Sequence, residues 1–137
     1  MQDAVASYCA ASESGDMEAL FATFAPDVTM PSPVLGSATF KGAKDVGAIM
    51  SAVYGLISDV HWETPIGTGN NRLAIAHAKI AGLKIDDAMY FELDEDGRIR
   101  QIRPHLRPLL PIVVFALLIA PRVAPHFGAV VRGLRRS

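Results

Sequence analysis

The chain reads as an α+β protein in which three helices pack on one face of a strongly curved antiparallel sheet, followed by a C-terminal helical extension. Three observations predict this. Apolar residues recur at helical spacing in three successive stretches between residues 3 and 57. From residue 60 to 106 the period falls to about 2, the signature of strands. An almost wholly apolar run, Leu109–Ala120, then closes the pattern. Helices first and strands after, without βαβ alternation, exclude a doubly wound sheet.

The first helix is placed over residues 3–14, with Val5, Tyr8, Cys9 and Ser12 on one face, and Gly15-Asp16 breaks it. Asp16 is a good N-cap for a second helix, because its carboxylate accepts the orphan N–H groups of the first turn. That helix carries Met17, Leu20, Phe21 and Phe24 and ends at Pro26. A short strand over Asp27–Met30 is stopped by Pro31-Ser32-Pro33, whose prolines lack the N–H of an interior strand. Thr39–Gly42 reads as a brief strand and turn, and a third helix runs from Ala43 to about Ile57 with Val46, Ile49, Met50, Val53 and Ile57 on one face.

Strands follow at Val60–Pro65 and Leu73–Ala81, and then comes the clearest local signal of the chain, the hairpin of residues 83–106. Ile85, Met89, Phe91 and Leu93 alternate on one side of the turn Asp94–Gly97; Ile99, Ile102 and Leu106 follow on the other. If Ala81-Gly82 is a two-residue turn, Ile80 opposes Leu83, Ala78 opposes Ile85, Ala76 opposes Asp87 and Ala74 opposes Met89. One sheet face then holds Ala74, Ala76, Ala78, Ile85, Asp87, Met89 and Phe91, and the other holds Ile75, His77, Lys79, Lys84, Asp86, Tyr90 and Glu92. The first face is the more apolar and is assigned to the cavity.

At 137 residues, half of them hydrophobic and 20% charged, the chain can bury a real core. A single cysteine, Cys9, excludes an internal disulfide framework and a cysteine-rich metal site. The start, Met-Gln-Asp-Ala-Val, has neither a basic region nor an apolar core of the secretory kind, so the expected compartment is the cytoplasm. Net charge is −1, but residues 1–96 hold all 14 acids against five bases, a net −9, while residues 97–137 hold eight arginines and no acid. The apolar run Leu109–Ala120 spans only about 18 Å as a helix, short of a bilayer's ~30 Å hydrocarbon core. It is expected to pack on the sheet or across a dimer interface, with peripheral membrane contact through Arg122, Arg132, Arg135 and Arg136 as the alternative. Nucleic-acid binding is not expected, since the arginines lack interleaved aromatics.

Two helices joined by Gly15-Asp16, the segment FAPDVTMPSPV, then FKGAKDVGAIM and LDEDGRIRQI resemble the nuclear transport factor 2-like superfamily, which includes the SnoaL-like polyketide cyclases, ketosteroid isomerase and limonene-epoxide hydrolase. Ser32-Pro33-Val34 and Arg107-Pro108-Leu109 are most similar to its small uncharacterised bacterial members. The resemblance covers residues 3–107 and implies a cone-shaped sheet, mixed in pairing, enclosing a cavity. Residues 1–107 are thus expected as the cone and 108–137 as a basic, apolar helical tail. The resemblance places Tyr8 where the isomerase has its oxyanion-binding tyrosine. The isomerase's general base falls on Ser32 and its protonated aspartate on Met89, and neither side chain can do that work. The epoxide hydrolase's acidic cluster is not reproduced near Pro104–Arg107.

What remains on the interior face is Asp87, a carboxylate among apolar neighbours whose desolvation should raise its pKa. Asp87 and Tyr8 are the expected acid–base pair. Phe24, Met30, Ser32, Val53, Trp62, Met89, Phe91, Ile102 and Leu106 are the expected pocket lining. His77 and Asp86 are cross-strand partners on the other face, expected on the dimer-facing side of the sheet; His61 and Glu63 lack a third metal ligand at known spacing, and no metal or cofactor is expected. Two readings follow. One is a homodimeric pocket protein for a small, largely apolar molecule, with isomerase, cyclase or hydratase chemistry if it is an enzyme. The other is a non-enzymatic dimeric interaction or membrane-surface module acting through the tail.

Overall fold

The computed structural model describes residues 3–135; Arg136, one of the tail arginines, lies outside the described residues. Helix α1 is Ala4–Ser14, and its start is fixed by Asp3, whose Oδ1 accepts from the N–H groups of Val5 and Ala6. Val5, Tyr8, Cys9 and Ser12 form the buried face their spacing predicts. Gly15 ends the helix at φ 76°, a left-handed conformation that glycine takes without a Cβ clash. Asp16 caps α2, Met17–Phe21, by accepting from the Ala19 N–H.

Helix α2 is shorter than its apolar pattern suggests. Phe24 opens strand β1, Phe24–Pro31, instead of closing the helix. Pro26 accounts for this: its ring excludes helical continuation and pushes Ala25 into extended backbone. The strand absorbs the missing N–H in an irregularity between Phe24 and Thr29. Pro31 remains paired opposite Thr39, so β1 reaches one residue into the proline segment.

Strand β2 is Thr39–Lys41, and α3 is Ala43–Tyr54, ending three residues before the expected Ile57. Strands β3 (Ser58–Trp62), β4 (Asn71–Ile80), β5 (Leu83–Leu93), β6 (Ile99–Arg103) and β7 (Leu106–Arg107) complete one seven-stranded sheet of order β2-β1-β6-β5-β4-β3, with β7 on β5. The β1–β6 pair is parallel and every other pair antiparallel, so the sheet is mixed. The β4–β5 register is the one expected, Ile80 to Leu83 through Ala74 to Met89. Ala81 and Gly82 both have positive φ, 48° and 80°, the conformation of a type I′ turn that matches the strands' twist.

Helix α4, Leu109–Val123, runs through Pro121 and on past Ala120, and a 3₁₀ turn at Ala124–His126 leads into α5, Phe127–Arg135. Pro121 does not end α4 because it stands on the exposed side, where water can satisfy the freed carbonyl. The helical run Leu109–Arg135 is therefore 27 residues, long and apolar enough by length and composition to cross a membrane, in place of the twelve-residue segment read from the sequence. Both helices nevertheless lie against the domain: α4 on α3, β4 and β5, and α5 on β2. Arg132 makes a two-pronged ion pair with buried Asp45 of α3, Nε to Oδ2 and Nη2 to Oδ1, each at 2.7 Å. Gly133 sits so close to Phe40 that a Cβ there would come within 3.1 Å of its ring. Two apolar clusters result. The larger joins α1, α3 and the sheet; the smaller packs Phe115 of α4 on Ile80 and Ile85.

Candidate functional site

The sheet curls around a cavity of about 440 Å³, and α3 and the two C-terminal helices close it. The sheet contributes Met30, Val60, Trp62, Ala76, Ala78, Ile85, Asp87 and Met89; α3 contributes Ile49, Met50, Val53 and Tyr54; the tail contributes Phe115, Ile119, Val123 and Phe127 among others. The alanines leave the space: Ala76 and Ala78 stand opposite Asp87 and Ile85 on the neighbouring strand. Among the described residues, Asp87 is the only carboxylate in this lining.

Asp87 stands where β5 changes partner. From Tyr90 onward β5 pairs with β6, but at Asp86 and Asp87 it pairs with β7. The chain turns between them at Pro104-His105, and this turn delivers a backbone donor: the His105 N–H donates to Asp87 Oδ1 at 3.0 Å, while the His105 carbonyl accepts from the Ala88 N–H at 2.9 Å. No hydrogen bond among the described residues engages Oδ2. Burial among apolar groups pushes the Asp87 carboxyl up to about 6; the His105 N–H and the His105 ring oppose that shift without cancelling it.

The second polar feature is a pair of phenols. Tyr54 Oη on the cavity wall lies 2.8 Å from Tyr8 Oη, which sits behind it in the core, 3.7 Å from Met50 Sδ. Burial holds both phenols far above the usual tyrosine range, and the Asp87 charge raises both further. Both stay protonated, and when Tyr8 donates to Tyr54 Oη the single Tyr54 proton is left to point into the cavity. The Tyr8 ring is held by Phe24, Trp62 and Phe91, with ring centroids 6.3, 5.9 and 5.2 Å away. Trp62 is fixed in turn by its Nε1–H, which donates to Ser12 Oγ at 2.7 Å.

The structure thus places Met30, Ser32, Val53, Trp62, Asp87, Met89 and Leu106 on the cavity wall. Phe24, Phe91 and Ile102 point into the core and do not line it. They form the aromatic and aliphatic bed beneath. Tyr8 reaches the cavity only through Tyr54, which sequence reasoning passed over. The signal existed: Val46, Met50 and Tyr54 recur at i, i+4, i+8 on the inner face of α3. His105 is exposed, yet its backbone N–H is the one that binds Asp87. Ser32 Oγ accepts from the Val34 and Leu35 N–H groups and shapes the loop over the cavity. Buried Cys9 has its thiol pushed up to about 12 by desolvation and then by Glu13, so it holds no reactive thiolate.

A SnoaL-like domain model matches residues 5–102. The chain belongs to the SnoaL-like family. No curated protein matches this SnoaL-like chain by sequence. Among solved structures it is similar to an uncharacterised bacterial protein with a cystatin-like fold from Silicibacter pomeroyi DSS-3. Identity is 21% and the TM-score 0.88, over 97% of this chain and 95% of that one, so the likeness takes in the C-terminal helices. It is similar to a steroid delta-isomerase from Pseudomonas aeruginosa, at 20% identity and TM-score 0.81 over 92% and 93% of the two chains. It is also similar to a computationally designed 17-OHP binder, at 19% identity and TM-score 0.60 over 76% and 94%. These likenesses show the nuclear transport factor 2-like fold.

On the opposite face of this SnoaL-like sheet, His77 is clamped between Asp86 Oδ1 at Nδ1 and Glu63 Oε2 at Nε2, both at 2.8 Å. The Asp86 and then the Glu63 hydrogen bond raise its pKa. The His61 ring lies 5.0 Å from that of His77. No cluster of three or more histidine, cysteine or acidic side chains placed to hold a metal occurs among the described residues.

Proposed function

We propose that the protein binds a small, largely apolar molecule in the cone and acts on it by acid–base chemistry. The observation that carries this reading is a single carboxyl, raised to about 6, in a largely apolar cavity. The volume falls within the ~300–1,000 Å³ usual for small-molecule sites. Asp87 Oδ2 is the group that takes or gives a proton near neutral pH. Tyr54, backed by Tyr8, is the donor that steadies negative charge developing on a carbonyl or hydroxyl oxygen. Ser32 and Met89, where the resemblance places the isomerase's base and acid, leave Asp87 to supply the carboxyl, two residues along β5 on the same face as Met89. The chemistry is therefore an isomerisation, cyclisation or hydration without cofactor.

The test is to screen apolar carbonyl compounds, steroids such as 17-OHP among them, by fluorescence displacement and for turnover, using wild type and Asp87→Asn. Retained binding with turnover abolished in Asp87→Asn is the expected result. Turnover unchanged in that variant overturns the catalytic assignment, and displacement of none of the compounds overturns the pocket. We also propose a cytoplasmic homodimer paired through the sheet face that carries His77, Glu63 and Asp86, which sedimentation velocity would report.

A further inference from the structure

Helix α4 has two apolar faces, and among the described residues only the inner one is packed. Its inner face lines the cavity and builds the smaller core cluster. Its outer face presents Leu109, Leu110, Val113 and Leu117, of which Leu109, Leu110 and Leu117 are 76%, 64% and 71% exposed. Residues one helical turn apart make this a continuous stripe. Leaving such a stripe in water is unfavourable, and patches of this kind mark interaction surfaces. The segment that carries it holds cations and no acid. Arg107 precedes the helix, opposite Asp86 on β5; Arg122 stands near its end, one of its N–H groups donating to the Gly55 carbonyl; Arg135 closes α5; all three are exposed, and residues 97–137 contain no acid.

We propose that α4 docks this outer face on an anionic lipid surface. The leucines enter the boundary between headgroups and acyl chains, and the arginines meet the phosphates. The remainder of the chain, net −9 over residues 1–96, is repelled by the same surface, so the molecule approaches with its C-terminal third forward. A second copy fits the stripe less well. Antiparallel pairing along α4 would set the Arg107 end of one helix against the Arg122 end of the other, whereas lipid phosphates satisfy both. Nor is a bilayer crossing required. The inner face of α4 is committed to the cavity, and α5 is pinned to α3 by the Arg132–Asp45 pair. Docking sets one wall of the cavity against lipid, the phase in which an apolar ligand concentrates; this last step rests on the ligand reading above.

The experiment is flotation of the full chain with phosphatidylcholine vesicles and with phosphatidylcholine–phosphatidylglycerol vesicles, across a salt series. Binding to the anionic vesicles that weakens with salt is expected. Leu110→Gln/Leu117→Gln should lower the partition coefficient at least about tenfold. Arg107→Gln should lower it about fivefold and flatten the salt dependence. Both leucines are exposed and off the cavity wall, so circular dichroism and probe binding in the cavity should match wild type. No partitioning by wild type, or partitioning unaffected by the leucine pair, overturns the proposal. A wild-type dimer that ignores vesicles and becomes monomeric in the leucine variant assigns the stripe to a second copy and overturns it too. Cavity binding is read separately, so failure of vesicle docking and failure of the ligand reading are distinguishable.

Discussion

Asp87 carries a cost in stability that its proposed role would explain. Its carboxyl titrates near 6 in the folded protein against an ordinary 3.8, so the folded state holds the proton more tightly than the unfolded chain. The stabilising contribution is complete below about pH 3.8 and is lost as pH rises to about 6. Above that, ionised Asp87 opposes folding by up to about 3 kcal/mol. Asn keeps an acceptor for the His105 N–H and removes the charge. Asp87→Asn should therefore raise stability at about pH 8 and leave it unchanged at about pH 4, as urea unfolding at the two values would report. A variant less stable than wild type at the higher pH would mean that Asp87 makes stabilising contacts as an anion. His77 acts in the same sense at higher pH. Its pKa is raised by Asp86 and Glu63, so the stability it adds is present below about 6.5 and is lost as pH climbs through the raised value. An NMR titration should find the His77 midpoint above that of a free histidine, and Glu63→Gln should move it back down. Tyr54 is the residue whose role depends on a neighbour. Tyr54→Phe removes the cavity donor and leaves Tyr8 buried with only Met50 Sδ, so it should cost more than Tyr8→Phe in any rate the cavity supports.

At the scale of elements, much of the arrangement was legible and the reasons differ from one piece to the next. The β4–β5 register was readable because a two-residue turn leaves no freedom: once Ala81 and Gly82 turn, every pair back to Ala74–Met89 follows. The face on which Asp87 lies came with it. The break between β6 and β7 was not readable, because it depends on which strand β5 finds as a partner beyond Pro104, and that partner brings the His105 N–H to Asp87. The parallel β1–β6 pair was hidden for the same reason, since nothing local joins strands that distant in sequence. Helix α5 depends on two adjacent residues that its pattern alone would not single out. Arg132 grips Asp45, and Gly133 allows the backbone to meet the Phe40 ring. Gly133→Val should force α5 off β2, and Arg132→Ala should release it from α3. Hydrogen exchange in residues 127–135 should rise in both variants while that of β4 and β5 stays slow. Exchange unchanged in the Gly133 variant would show that Phe40 has room to move aside.

The whole molecule keeps an unfilled interior that a protein selected only for stability would close. Cores pack as densely as organic crystals, and space without atoms forfeits dispersion contacts on every wall. Here the cone stays open because short side chains face the cavity where β4 opposes β5. Ala78 is the place to test this: it lines the cavity, lies two residues from Ala76 and stands opposite Ile85 rather than Asp87. Ala78→Leu adds three carbons to a site already walled by Phe115, Ile119 and Leu106. Burying them should stabilise the fold by about 1–2 kcal/mol, discounted from about 0.8 kcal/mol per methylene for imperfect fit. The same carbons occupy the volume a ligand needs, so affinity for an apolar probe should fall at least about tenfold, the equivalent of 1.4 kcal/mol. Thermal unfolding and probe titration on one preparation read both effects. A gain in melting temperature together with a loss of binding marks the void as a binding cavity. A loss of stability would mean that the wall is tighter than its volume implies. Binding that survives the added leucine would place the ligand away from β4, toward α3 and Tyr54.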